Sequence, residues 1–214
     1  MAAIGRSRND GGFQDAFLQE QKASKAVRPL PSPPQGGARF QSEAKKGFKP
    51  TDEMPFWKLC TIGASDYLMP ERDIGWGRKA NRRNEYMMLI APEVDVSEDS
   101  TKWLLLNSLL WSTAEYAYSE KDCLTVFDTI DMKADGKYCG TVLLLPEAFK
   151  SPSIVKCYTS KHKYISVFQV VPITRRLLSK KLKKGTNGVY WLMEQFYTHD
   201  DDYRLIASKP FARL

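Results

Sequence analysis

Histidine is scarce in this sequence: 214 residues carry two, His162 and His199. Imidazole is the side chain whose ordinary titration falls near neutrality, so acid–base catalysis here would rest on perturbed carboxylates or lysines. The locally readable motifs G-x-S-x-G, H-E-x-x-H, Walker A and G-x-G-x-x-G are also missing. Gly75-Trp76-Gly77-Arg78-Lys79 resembles a phosphate loop but lacks the third glycine and the strand-to-helix setting, and reads as a surface turn. His199 precedes Asp200-Asp201-Asp202, a grouping that suits a metal ion or a general base, although a solvated turn is the simpler reading. Four cysteines, Cys60, Cys123, Cys139 and Cys157, include no C-x-x-C pair, which removes the usual zinc spacings. They read as free, mostly buried thiols of a reducing compartment, which favours the cytoplasm. No run approaches the roughly 18 apolar residues of a membrane-spanning helix. The start, MAAIGRSRNDGG, lacks the apolar stretch of a secretory signal, so export by that route is not expected. Together these absences weigh against an enzyme and give no reason to expect a cofactor or a bound metal.

What is present is unevenly distributed. The net charge is +7, but residues 1–50 hold nine Lys and Arg against four Asp and Glu. Residues 172–185 add six basic residues and no acidic one, and what remains carries 17 basic against 21 acidic. The positive charge therefore belongs to a tail and one short segment. Residues 1–52 are rich in Gly, Pro, Ser, Gln and Lys, with the centre Arg28-Pro29-Leu30-Pro31-Ser32-Pro33-Pro34. Such a stretch buries too little apolar area to offset its ordering entropy and is expected to be a disordered basic tail. Within it, Phe13, Phe17 and Leu18 allow a short helix near Phe13–Lys25.

From residue 53 to 214 the texture is that of a single folded domain. Phe56–Ile62 reads as a strand ended by Gly63, and Glu85–Ile90 as another stopped by Ala91-Pro92. Asp99 or Ser100 can cap a helix in which Trp103, Leu106, Leu110, Ala114 and Ala117 recur on one face, widened by Leu109 and Trp111. A strand over Thr125–Ile130, a turn at Ala134-Asp135-Gly136 and a strand at Thr141–Leu145 follow. Tyr164–Val171 is strand-like and is expected to stop at Pro172. Thr174 then caps a helix to about Lys184, and another begins near Asn187 or Gly188, with Val189, Leu192, Met193 and Phe196 on one side. Strands and helices without a clean βαβ repetition predict a mixed α/β (α+β) domain: one mixed β-sheet with flanking helices. The expected core includes Trp103, Leu106, Leu110, Val142, Leu144, Val167, Phe168 and Val170.

The segment after Pro172 is the one candidate binding element. On a helix, Arg175, Arg176, Lys180, Lys183 and Lys184 span two faces while Leu178 and Leu182 pack inward, and Lys181 completes the basic set. Such a helix would meet an acidic protein surface or the phosphates of a nucleic acid. The plainer alternative is a solvated face whose cations suit the helix C-terminus.

Three islands of this chain resemble the suppressor of fused-like domain family. They are Thr61-Ile62-Gly63-Ala64-Ser65 with Met69, then Glu85–Pro92 followed by the Trp103 helix, and then Val167–Thr174. Leu143-Leu144-Leu145-Pro146 fits the same order, and the resemblance runs from about Phe56 to Leu214. It implies a mixed α/β fold that binds a protein and catalyses nothing. Animal members are large Hedgehog-pathway regulators that sequester a transcription factor. Short bacterial members look like immunity proteins that neutralise a cognate toxin, and the length here fits that type. The family's helix after the third island usually carries acidic residues, whereas Arg175-Arg176-Leu177-Leu178-Ser179-Lys180-Lys181 is basic. The resemblance thus leaves open an acidic face against a basic toxin or the basic helix against an acidic one. The alternative function is a regulatory adaptor whose tail and Arg175–Lys184 helix bind nucleic acid or another anionic partner.

Overall fold

The computed structural model describes residues 49–51, 55–97, 100–132, 138–146, 155–160, 163–199 and 205–206. The expected tail lies almost wholly outside the described residues, as do the Ala134-Asp135-Gly136 turn, His162 and Asp200-Asp201-Asp202. In chain order the elements are β1 (Trp57–Cys60), β2 (Asn84–Ile90), α1 (Thr101–Ser119), β3 (Thr129–Asp131) and β4 (Tyr138–Leu144). There follow β5 (Lys156–Ser160), β6 (Lys163–Thr174), α2 (Arg175–Lys183), α3 (Gly188–His199) and β7 (Leu205–Ile206). The strands form one mixed sheet in the order β1-β2-β6-β4-β3, with β5 paired to β6 and β7 to β2.

β6 organises the sheet, because its twelve residues are long enough to serve several partners in succession. Its first third pairs antiparallel with β5, its middle runs parallel to β2 with Asn84 opposite Ser166, and its last half pairs antiparallel with β4. The expected stop at Pro172 does not occur: β6 continues to Thr174, with Pro172 opposite Thr141. Pairing with β2 ends at Gln169, so among the described residues Pro172 has one laddered edge, where a residue lacking an amide proton is tolerated.

The helices cover both faces. Thr141 and Gly140 are neighbours on β4 and so point to opposite sides. Thr141 Oγ1 lies 3.2 Å from Thr113 Oγ1 of α1, whereas a Cβ on Gly140 would stand 3.3 Å from Leu178 of α2. Because β4 is sandwiched, Val142, Leu143 and Leu144 are all buried rather than alternating. Ser100 caps α1 by accepting the Trp103 amide. Its inward face is Leu106, Leu109, Leu110, Thr113, Tyr116 and Ala117; the expected Trp103 and Ala114 are half-buried and Trp111 is exposed. Of the other expected core positions, Leu106, Leu110, Val142, Leu144, Phe168 and Val170 are buried, while Val167 is half-buried against a smaller cluster of Phe56, Met87 and Leu89.

The strand expected over Thr125–Ile130 shrinks to Thr129–Asp131. Asp128 overrides the β-forming residues before it: its carboxylate accepts the Thr125 amide at 2.8 Å, folding 125–128 into a turn, and Phe127 takes φ +69. β5 was not apparent in the sequence, and α3 reaches His199 rather than yielding to a loop before it.

Candidate protein-binding site

The residues of the first two sequence islands meet in space. Gly63, at φ +92, turns the chain out of β1 into a single 3-10 turn over Ala64–Asp66. Donors from that turn converge on Glu85 of β2. Thr61 Oγ1 donates to Oε2 at 2.5 Å, and the Gly63 and Ser65 amides and the Ser65 hydroxyl donate to Oε1 at 3.0, 3.0 and 2.7 Å. The amides form a concavity suited to an anion, which the protein fills with its own carboxylate. With four donors on it, Glu85 is a brace between the β1 exit and β2. Arg83 secures the same turn by donating to the Ser65 carbonyl at 2.6 Å.

A second brace lies in the interior. Arg72 and Asp128 form a forked pair at 2.5 and 3.1 Å, and Arg72 also donates to the Cys123 carbonyl at 2.8 Å. Burial pushes the Cys60 and Cys123 thiols up to about 11, leaving them protonated at neutral pH and poor nucleophiles. Cys139 is buried too, whereas Cys157 is exposed, so the expectation of mostly buried thiols holds for two of the four with Cys60 intermediate. Among the described residues no group of three or more His, Cys, Asp or Glu is placed to hold a metal ion.

The basic run Arg175–Lys184 forms α2 as expected, with Thr174 accepting the Leu177 amide as its cap, but its six cations differ in fate. Arg175 sits over Asp131 at 3.1 Å and ties the helix to β3. Lys181 turns inward, is 5% exposed and donates to Thr129 Oγ1 at 2.7 Å, so it is corrected out of the surface set. Desolvation holds its ammonium below the usual lysine range, against the pull of Asp128. Leu182, expected inside, is exposed, and Leu177 takes its place beside Leu178. The reason is register: the inward positions are 177, 178 and 181, one helical turn apart. Arg176, Lys180, Lys183 and Lys184 remain exposed. Lys180 and Lys184, one turn apart, both lie over the Trp191 ring of α3, at 5.8 and 5.7 Å from its centre. Gly188 permits this close helix pair, since a Cβ there would stand 2.0 Å from the Lys181 carbonyl oxygen.

Two further surface features stand apart from α2, the first at the turn already read from the sequence. The turn Gly75-Trp76-Gly77, with φ of +92, +55 and +66, holds Trp76 70% exposed at its tip. The other is a groove of about 390 Å³ lined by Leu68, Ala80, Arg82, Arg83, Lys163 and Tyr164 among others. Its cations come from segments 81 residues apart, Arg82 to Lys163, so no local run announced them.

The family model of the suppressor of fused protein (SUFU) matches residues 36–203. This chain belongs to the SUFU family. The SUFU domain is a protein-binding, regulatory fold, and the match takes in Thr61, Gly63, Ser65 and Glu85, the residues of the turn-to-strand brace. One similar solved structure is described as the Sufu-Fu complex, at 12% identity and TM-score 0.49, covering 78% of this chain and 75% of that one. A second is Drosophila Suppressor of Fused, at 13% identity and TM-score 0.46, covering 74% of this chain. The SUFU chain described here spans 40% of that Drosophila chain. No curated protein sequence matches significantly. Among the described residues no helix is long and apolar enough to cross a membrane.

Proposed function

We propose that this SUFU-family chain is a non-enzymatic cytoplasmic binding protein of the immunity type, neutralising a cognate toxin by direct contact. The exposed cations of α2, Arg176, Lys180, Lys183 and Lys184, form the contact surface, with Arg175 at its margin. The observation that carries this reading is the placement of Lys180 and Lys184 over one Trp191 ring. Two flexible side chains are thereby held toward solvent on a helix without an acidic residue to neutralise them. Opposite charge across such an interface accelerates association and selects the partner. Membership of a protein-binding family supports a protein as that partner. Internal use of Glu85, Arg72 and Asp128 supports a role other than catalysis.

The test is co-expression with the product of the adjacent gene. A stable complex and relief of that product's toxicity are expected, both weakened by combined Lys180→Glu and Lys184→Glu. An adjacent product that is neither toxic nor bound would remove the immunity reading. Steeply salt-dependent binding of duplex DNA or RNA in its place would favour the adaptor reading.

A further inference from the structure

A second site stands at the opposite end of β6 from α2. Tyr164 and Thr174 are ten residues apart along one strand, roughly 30 Å at the usual rise. The groove there has two walls. One is the segment Ala80–Arg83 leading into β2; the other is the β5–β6 hairpin, with Thr159, Lys163 and Tyr164.

Asn81 fixes the walls relative to each other. Its side-chain amide donates to the carbonyls of Arg83 and Tyr164 at 2.8 and 3.1 Å and to Ser166 Oγ at 3.0 Å. The Ser166 amide adds a bond to the Arg83 carbonyl at 2.9 Å. Each arginine is anchored to a backbone carbonyl, and Arg82 Nη1 also stands 3.8 Å from Glu71. Arg82 Nε donates to the Met69 carbonyl at 2.5 Å, and Arg83 Nη1 to those of Ser65 and Asp66 at 2.6 and 3.4 Å. A guanidinium has five N–H donors in a planar fork, so such anchoring orients the group and leaves donors over for a ligand.

Charge balance points the same way. Three cations share one concavity, and among the described residues no carboxylate lines it. The nearest ion-pair partner is Glu71, 3.8 Å from Arg82 and held more closely by Lys79. Lys163 has no ion-pair partner among the described residues. Like charges gathered in a cleft raise the local potential until an anion enters. The rest of the lining, Leu68, Ala80 and Tyr164, offers apolar surface, and Lys156 lies 5.1 Å from the Tyr164 ring centre. The volume falls at the small end of ligand sites, room for one side chain and its flanking backbone.

We propose that this groove binds an oxyanion-bearing side chain of a peptide segment, its charged oxygens on Arg82, Arg83 and Lys163 and its stem against Leu68 and Tyr164. The oxyanion is a phosphoryl group or an Asp or Glu carboxylate; both offer the paired acceptors a guanidinium fork takes.

The experiment uses the full chain and three probes: inorganic phosphate, a Glu-rich octapeptide, and the same peptide carrying one phosphoserine. Amide shifts of Ala80, Asn81, Arg83 and Tyr164 report the site, and calorimetry gives affinity. At least one peptide is expected to move these signals, and Lys163→Glu to weaken it about tenfold or more with an unchanged Tm. Lys180→Glu on α2 leaves that binding unaltered, which separates this site from the α2 surface. Binding of the phosphopeptide alone identifies phosphate as the anion, and binding of both shows that carboxylates suffice; either supports the proposal. Inorganic phosphate binding without either peptide, no response to any probe, or full affinity in Lys163→Glu overturns it.

Discussion

The two ends of β6 both gather positive charge, but they assemble it in different ways. At the C-terminal end six cations fall within the ten residues Arg175–Lys184, and the helix disperses them around its axis. Lys181 is drawn inside onto Thr129, Arg175 is tied to Asp131, and four are left outward. At the N-terminal end three cations from remote segments converge on one concavity, and the fold holds the arginines through backbone carbonyls. A charge run in a sequence therefore overstates a site when it becomes a helix. Charge gathered by tertiary contact leaves no run to read.

Breaking the α2 end should have the largest effect on stability. Gly188→Ala places a methyl 2.0 Å from the Lys181 carbonyl oxygen, so α3 must shift away from α2. A loss of about 3 kcal/mol is expected in urea unfolding. Gly185→Ala has open space, and its φ of +55 should cost only about 1 kcal/mol. Equal costs would mean that backbone strain, and not close helix approach, governs this end.

At the other end, Glu85→Ala removes the acceptor of the Thr61, Gly63 and Ser65 donors and loosens the turn that Arg83 also holds. The expected loss is about 2–3 kcal/mol. Hydrogen exchange should show faster opening over 61–66 with α2 unaffected. Opening that spread to α2 would contradict the independence of the two ends.

Trp76→Gly should act in the opposite direction. Trp76 holds φ +55 with little packing to compensate, so a glycine there is expected to raise stability by about 1 kcal/mol in thermal unfolding. A lower Tm would mean that the ring contributes packing that outweighs its backbone strain.

Lys181→Met should change stability least at neutral pH, within about 1 kcal/mol, because removing a desolvated ammonium offsets the lost bond to Thr129. Its signature is in the pH dependence. Burial lowers the folded-state value below 10.5, so between the two values the unfolded chain binds the extra proton. Wild-type stability therefore rises across that alkaline window relative to Lys181→Met. Parallel pH profiles would place the Lys181 ammonium in contact with water.

Much of the fold was legible because it follows from local chemistry. The caps at Ser100 and Thr174, the apolar runs of β2 and β4, and the α3 stripe all sit where periodicity puts them. The failures arose where a specific contact, or the lack of one, outweighed a local rule. Asp128, paired with Arg72 and accepting the Thr125 amide, bent Thr125–Asp128 into a turn, and with no second described neighbour at Pro172 β6 ran on. Of the surface residues, the α2 set could be listed from sequence, but Lys181 could not be told from its neighbours without the helix register. Arg82, Arg83 and Lys163 required the pairing of β2 with β6.

The most direct test of the binding role is the association rate with the adjacent gene's product, for wild type and for Lys180→Glu with Lys184→Glu. A tight wild-type complex is predicted, its association slowed about tenfold or more by the double reversal at low salt and less so at high salt. Absence of a complex, or a rate indifferent to both reversal and salt, would contradict the role given to α2.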